Sequence, residues 1–137
     1  MSMNKDLVLR KLWLKIGYLL VICVIVLTLI PDPYYTLGID DLFENLSDKA
    51  QHLFAYVMLM GWFTQIYHSR KSHLVLAVSF ISMGVALEFL QGLSQTRMFE
   101  VADMMANGIG VLLAWSVANT RCSNILLYFE KRALNLH

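Results

Sequence analysis

Four ionisable side chains that could carry acid–base or metal chemistry stand in otherwise apolar stretches of this 137-residue chain: Asp48, His52, Glu88 and Asp103. Ionisable groups are costly to place in a lipid bilayer, so their presence in such stretches indicates a functional site. His52 with Glu88 or Asp103 could act as a general acid–base pair, because burial moves carboxyl and imidazole pKa values towards neutrality. The four side chains could instead hold a divalent metal ion, although no two of them form a local metal-binding motif.

A second set of side chains suits the binding of an anionic ligand. Lys49 and Arg97 supply positive charge, and an arginine holds a phosphate or carboxylate through two parallel hydrogen bonds. Gln91 and Asn107 offer amides that would orient a ligand by hydrogen bonds, and Tyr56 continues the polar stripe of its predicted helix. These five residues are the predicted substrate-binding groups.

The elements that must position these side chains are predicted to be membrane helices. Hydrophobic residues form 58% of the chain and charged residues 15%, whereas soluble domains average about 45–50% and about 25%. Apolar runs predict four transmembrane helices over residues 12–30, 48–67, 74–93 and 101–118. A short amphipathic segment around residues 125–129 is predicted to lie at the membrane interface. The expected fold is an all-α, polytopic membrane helical bundle that forms one domain over residues 1–137.

Charge is segregated along the chain in a way that orients this bundle. Basic residues lie in the N-terminal segment, the 68–73 connection and the C-terminal tail, whereas the 31–48 connection is acidic. Because cytoplasmic loops are enriched in lysine and arginine, both termini are predicted to lie on the cytoplasmic side of the cell membrane. A cleaved signal peptide is the alternative for the first run. Pro31, Asp32 and Pro33 follow that run instead of a small-residue cleavage site, which favours an uncleaved helix.

This topology brings the candidate residues to the outer ends of the second, third and fourth helices. At about 100° per residue, each of these helices presents one polar stripe over its outer third. The inner half carries no such polarity, so a through-channel is poorly supported. The net charge of +1 gives no sign of nucleic-acid binding, and Cys23 and Cys122 fit neither a disulfide framework nor a zinc motif.

Structural explanations compete with a functional site for individual residues. Asp48 and Asp103 could cap their helices, and Gln91 and Asn107 could join helices by hydrogen bonds. Glu88 is hardest to explain in this way, because it lies about two turns inside an apolar helix. A structural or assembly protein is therefore the rival function class. A small transporter is the third alternative, and the absence of inverted repeats counts against it.

Two segments resemble the signatures of the VanZ-like family of membrane proteins. Residues 48–56 resemble the family's Asp-Lys-x-x-His-x-x-x-Tyr signature, and residues 88–110 resemble its second signature, Glu-x-x-Gln followed by Arg-x-x-x-x-x-Asp-x-x-x-Asn-x-x-Gly. The matching positions of the second signature are Glu88, Gln91, Arg97, Asp103, Asn107 and Gly110. The resemblance covers roughly residues 45–118. Glu100 stands where relatives often have aspartate, and the 94–99 loop departs from the family pattern.

The resemblance implies a multi-pass cell-membrane protein. The family's namesake confers low-level resistance to the lipoglycopeptide teicoplanin, which makes a link to glycopeptide resistance one expectation for this chain. The leading hypothesis is a protein that binds, or binds and modifies, an anionic envelope lipid or lipid-linked cell-wall precursor. The sequence leaves open whether a reaction is catalysed, whether a divalent metal takes part and whether the protein forms an oligomer.

Overall fold

The chain folds into α-helices throughout the part that the computed structural model describes, which is residues 7–30, 48–94, 99–118, 120 and 124–135. Five helices lie in these ranges, and none of these residues forms a β-strand. They are α1 (Arg10–Leu29), α2 (Asp48–Thr64), α3 (Arg70–Leu93), α4 (Val101–Ala118) and α5 (Ile125–Ala133). The all-α class predicted from the sequence is confirmed.

Three of these helices are long and apolar enough to cross a membrane. Mean hydropathy reaches 2.5 in α1, 1.9 in α3 and 1.5 in α4. Large apolar side chains such as Leu19, Val75 and Leu112 point outward from these helices, as expected where lipid is the solvent. The protein is therefore a membrane protein by the character of its helices. At 17 residues, α2 is shorter than the usual 20-residue span.

Two helix boundaries differ from those predicted. α2 ends at Thr64 rather than near residue 67. α3 begins at Arg70 rather than at Leu74, because the Ser69 hydroxyl caps it by accepting the Ser72 backbone N–H at 3.0 Å. Two basic residues of the predicted 68–73 connection therefore belong to the first turn of α3.

Helices α1 to α4 run antiparallel to their neighbours in sequence. At one end the Gln91 side chain of α3 donates to the Thr28 carbonyl of α1 at 2.7 Å. At the other end the indole N–H of Trp62 in α2 donates to the Trp13 carbonyl of α1 at 3.0 Å. The buried core lies between α2, α3 and α4 and contains Tyr56, Leu59, Met60, Phe63, Ala77, Phe80, Val111 and Ala114.

Helices α2 and α4 pack closely against each other at Gly110. A β-carbon at this position would lie 2.5 Å from the Leu53 carbonyl oxygen and 3.2 Å from the Tyr56 β-carbon. Only glycine allows the two backbones to approach this closely, a packing mode common between membrane helices. The contact fixes the spacing of the two helices that carry most of the candidate site.

At the end of the bundle where α1 begins, Glu130 of α5 is buried and binds residues of the chain segment that leads into α1. Glu130 is 1% exposed and accepts the backbone N–H groups of Val8 at 2.8 Å and Leu9 at 2.7 Å. It also accepts the indole N–H of Trp13 at 2.9 Å. One carboxylate thus satisfies donors at the N-terminus of α1 that have no partner within the helix. Leu7, Ile66, Leu126 and Leu127 form a small apolar cluster beside it.

Candidate functional site

A polar cluster forms where the start of α2, the end of α3 and the start of α4 meet. Residues four apart on a helix lie on one face, so Asp48 and His52 project together from α2, as Asp103 and Asn107 do from α4. Short side chains and the close approach at Gly110 allow the two faces to touch. The structure therefore brings together four of the residues predicted from the sequence.

His52 is the centre of this cluster. Its Nδ1 lies 3.2 Å from Asn107 Oδ1, an amide oxygen that accepts a hydrogen bond from the tautomer of His52 that carries its proton on Nδ1. The other ring nitrogen, Nε2, faces two carboxylates. It lies 3.9 Å from Asp48 Oδ1 and 3.9 Å from Asp103 Oδ2. The imidazole is thus oriented with one nitrogen used for positioning and the other directed at the acidic pair.

Lys49 pairs with a carboxylate that the sequence did not assign to the site. Its Nζ donates to Glu100 Oε2 at 2.7 Å and lies 3.7 Å from Asp103 Oδ1. The hydrogen bond from Lys49, reinforced by its charge, lowers the pKa of Glu100 below the usual 4.5. Both side chains are about half exposed, so this ion pair marks the rim of the cluster rather than its core.

Glu88 contacts the backbone that leads into α4. Its side chain is 1% exposed, and Oε1 accepts the Glu100 backbone N–H at 2.7 Å. Glu88 therefore holds in place the residue that pairs with Lys49. Among the described residues, Glu88 Oε2 and the Tyr56 hydroxyl have no hydrogen-bond partner, although both are buried. Three side chains, those of Asp48, His52 and Asp103, bring potential metal-ligand atoms within 4.8 Å of one another. Glu88 is not among them.

Two further predicted residues lie at the edge of this cluster, and a third lies outside the described residues. Gln91 donates to the Thr28 carbonyl and so ties α3 to α1, which is the interhelical role that competes with ligand binding for this residue. Tyr56 is 1% exposed, and its hydroxyl lies beside Gly84, where a β-carbon would be 3.1 Å away. Arg97 belongs to residues 95–98, which are not described, so its role stays a prediction.

Two apolar grooves of about 600 Å³ and about 580 Å³ lie away from the polar cluster. The first lies between α1, α2 and α3 near Tyr18 and Met83, and the second lies between α2, α4 and α5 near Leu113 and Leu126. None of the candidate site residues that the structure describes lines either groove. The polar cluster and the grooves therefore offer different chemistry.

The sequence indicates the cluster but gives no site role to two glutamates. In the sequence, Glu100 is notable only because the signature that residues 88–110 resemble often has aspartate there. Its position directly before α4 is the one feature that could have indicated a role in the site. Glu130 lies in a charged tail and contacts residues more than 115 positions away, so no local pattern points to it.

Comparison of the chain with protein-family models, with curated proteins and with solved structures finds no match.

Proposed function

We propose that this chain is a VanZ-like protein of the cell membrane that binds an anionic envelope lipid or lipid-linked cell-wall precursor by its head group. In this proposal α1 to α4 all cross the membrane, both termini are cytoplasmic and the polar cluster faces outward. The observation that carries the proposal is the cluster itself. Eight polar side chains from three helix ends meet at one end of an apolar bundle: Asp48, Lys49, His52, Glu88, Gln91, Glu100, Asp103 and Asn107.

The position of Lys49 supports a head-group ligand. Its ammonium group is half exposed at the rim, where an acidic head group of a membrane lipid would approach. A phosphate in that head group would bind Lys49 beside Glu100 or in its place, since phosphate and carboxylate are both anionic oxygen acceptors. Arg97, placed by the sequence in the same connection, would add a second cation. His52, with Asp48 or Asp103, is oriented to exchange a proton with a bound group, which is the step a modifying enzyme would need.

The orientation can be tested by cysteine labelling in a variant that lacks Cys23 and Cys122. We expect Ser94→Cys, at the polar end of α3, to react with a membrane-impermeant maleimide added to intact cells. Ser69→Cys, at the opposite end of the same helix, should react only after the membrane is opened. The reverse pattern would place the polar cluster on the cytoplasmic side and contradict the proposed topology.

Head-group binding can be tested in nanodiscs by the thermal stabilisation that a bound lipid confers. We expect an anionic lipid such as phosphatidylglycerol to raise the Tm of the wild type more than phosphatidylcholine does. Lys49→Gln should remove most of that difference. Lys71→Gln, which deletes a cation at the other end of α3, should retain it. Equal loss in both variants, or no difference between lipids, would contradict a head-group site at the polar cluster.

A structural or assembly role is the second candidate, and one observation favours it. Glu88 and Gln91 both bond to backbone groups of neighbouring segments, which is how polar residues hold membrane helices together. This role predicts that Glu88→Gln lowers protein level and Tm together with any phenotype. The lipid-binding proposal predicts that His52→Gln fails to restore the wild-type phenotype to a deletion strain, although its protein level and Tm equal those of the wild type.

A further inference from the structure

We propose that Asp48, His52 and Asp103 form a binding site for one divalent metal ion of the zinc class. One ligand atom from each of the three side chains can be chosen so that all lie within 4.8 Å of one another. The three side chains would bind the metal ion without any lipid ligand, so metal binding can be measured in the absence of lipid. Its link to the proposed function is that a metal ion would supply positive charge to an anionic head group.

The spacing of the three side chains is close to that of a metal site. The histidine nitrogen lies 3.9 Å from an oxygen of each aspartate. Two ligands bound to zinc at about 2.1 Å in a tetrahedral arrangement lie roughly 3.4 Å apart. Small side-chain rotations of the two aspartates would close this gap without any movement of the helices, since each pair already shares a helix face or a helix contact.

The position of Asn107 beside His52 suits a metal-bound histidine. When a metal ion binds Nε2, the nitrogen that faces the carboxylates, the ring proton lies on Nδ1, which is 3.2 Å from the accepting Oδ1 of Asn107. A metal-bound histidine commonly donates its other N–H to a neighbouring oxygen, which fixes the ring and raises its basicity. Asn107 would fill this supporting role without touching the metal.

The charge of the cluster also favours a cation. Asp103 is 4% exposed, and its Oδ1 has no hydrogen-bond partner among the residues that the structure describes. Within the described part of the chain, the ammonium group of Lys49 lies 3.7 Å from that oxygen and is already bound by Glu100. Among the described side chains, and leaving the imidazole aside, the carboxylates of Asp48, Glu100 and Asp103 and the ammonium of Lys49 leave an excess of two negative charges. A buried carboxylate left without a full partner is costly, and a divalent ion would offset it.

The donor set indicates which metals fit. Imidazole nitrogen suits zinc and its transition-metal neighbours, whereas magnesium prefers an all-oxygen shell with several waters. Three protein ligands leave one tetrahedral position open, as in zinc sites that act on a substrate. Asp48 is 45% exposed, so the open position would be reached from the rim, where a phosphate oxygen or water would bind.

The test is a zinc titration by isothermal calorimetry on the full-length protein in detergent, after removal of metals with a chelator. We expect one zinc ion per chain, no comparable binding of magnesium, and affinity reduced more than about 100-fold in Asp103→Asn and in His52→Gln. Asn107→Ser, which leaves all three ligands in place, should weaken zinc binding by about tenfold. Absence of zinc binding by folded wild type, or equal binding by Asp103→Asn, would overturn the proposal.

Lys49→Gln separates this proposal from an internal ion-pair network. If Lys49 is only a like-charged neighbour of the metal, its removal should tighten zinc binding several-fold. If Lys49 already neutralises the cluster in place of a metal ion, the wild type should take up no zinc, and Lys49→Gln should take it up. A Tm measured for each variant confirms that it is folded. Zinc binding without any effect of anionic lipid would leave the metal site standing and remove the lipid proposal, while lipid binding in a protein that takes up no zinc would do the reverse.

Discussion

Replacing Gly110 with alanine is expected to destabilise the protein by up to about 3 kcal/mol. The added β-carbon would lie 2.5 Å from the Leu53 carbonyl oxygen, which belongs to the backbone of α2 and has no rotamer through which to move away. The two helices would have to separate, and the contact between His52 and Asn107 would lengthen with them. Reversible unfolding in mixed detergent, followed by circular dichroism, measures the change in the free energy of unfolding.

Gly108 provides the matched control for this substitution. It lies two residues earlier on the same helix, and a β-carbon there would meet no atom within 4 Å. Gly108→Ala should therefore be neutral or stabilise the helix by up to about 1 kcal/mol, since alanine has the higher helix propensity. Equal destabilisation by the two substitutions would contradict the close approach of α2 and α4 at Gly110.

Glu130→Gln is expected to cost about 2–3 kcal/mol of stability. The buried carboxylate accepts hydrogen bonds from Val8, Leu9 and Trp13, and an amide would turn its own NH₂ towards one of these donors. Glu100→Gln is the control, because that carboxylate is half exposed and its ion pair is of the surface type. Its loss should change stability far less than the loss of the Glu130 carboxylate does.

The same glutamate predicts a pH dependence with a defined sign. Burial alone would raise the pKa of Glu130, but the hydrogen bonds from Leu9, Trp13 and Val8 outweigh it and lower the pKa below the ordinary 4.5. The stabilisation is therefore fully present above about pH 4.5 and is lost as the pH falls through the lowered pKa. As the pH falls below about 4.5, the Tm of the wild type should decrease more steeply than that of Glu130→Gln. Parallel curves would contradict this role for Glu130.

Several features of the fold are predictable because they depend on local patterns. The apolar runs predict α1, α3 and α4, and the range predicted for the last of these, 101–118, agrees with its observed bounds, Val101–Ala118. Helical periodicity alone puts Asp48 with His52, and Asp103 with Asn107, on one helix face, because each pair is spaced by four residues. The antiparallel order of the helices then brings the two pairs to the same end of the bundle.

The contacts of Glu88 and Glu100 are not predictable from local patterns in this way. The bond from the Glu100 backbone N–H to Glu88 depends on the position of a residue that precedes α4, and helical periodicity says nothing about residues outside a helix. The sequence predicts that Lys49 binds an anionic group, which stays a prediction, and the ion pair of Lys49 with Glu100 adds a partner that no local pattern indicates. The Ser69 cap shows that a single hydroxyl can move a helix start by one turn.

The central claim, that the polar cluster holds an anionic lipid, is tested most directly by native mass spectrometry of protein extracted gently from its own membrane. We predict one retained anionic lipid or lipid-linked precursor per chain in the wild type, and loss of that lipid in Lys49→Gln but not in Lys71→Gln. Retention of no lipid by the wild type, or equal retention by both variants, would contradict the claim.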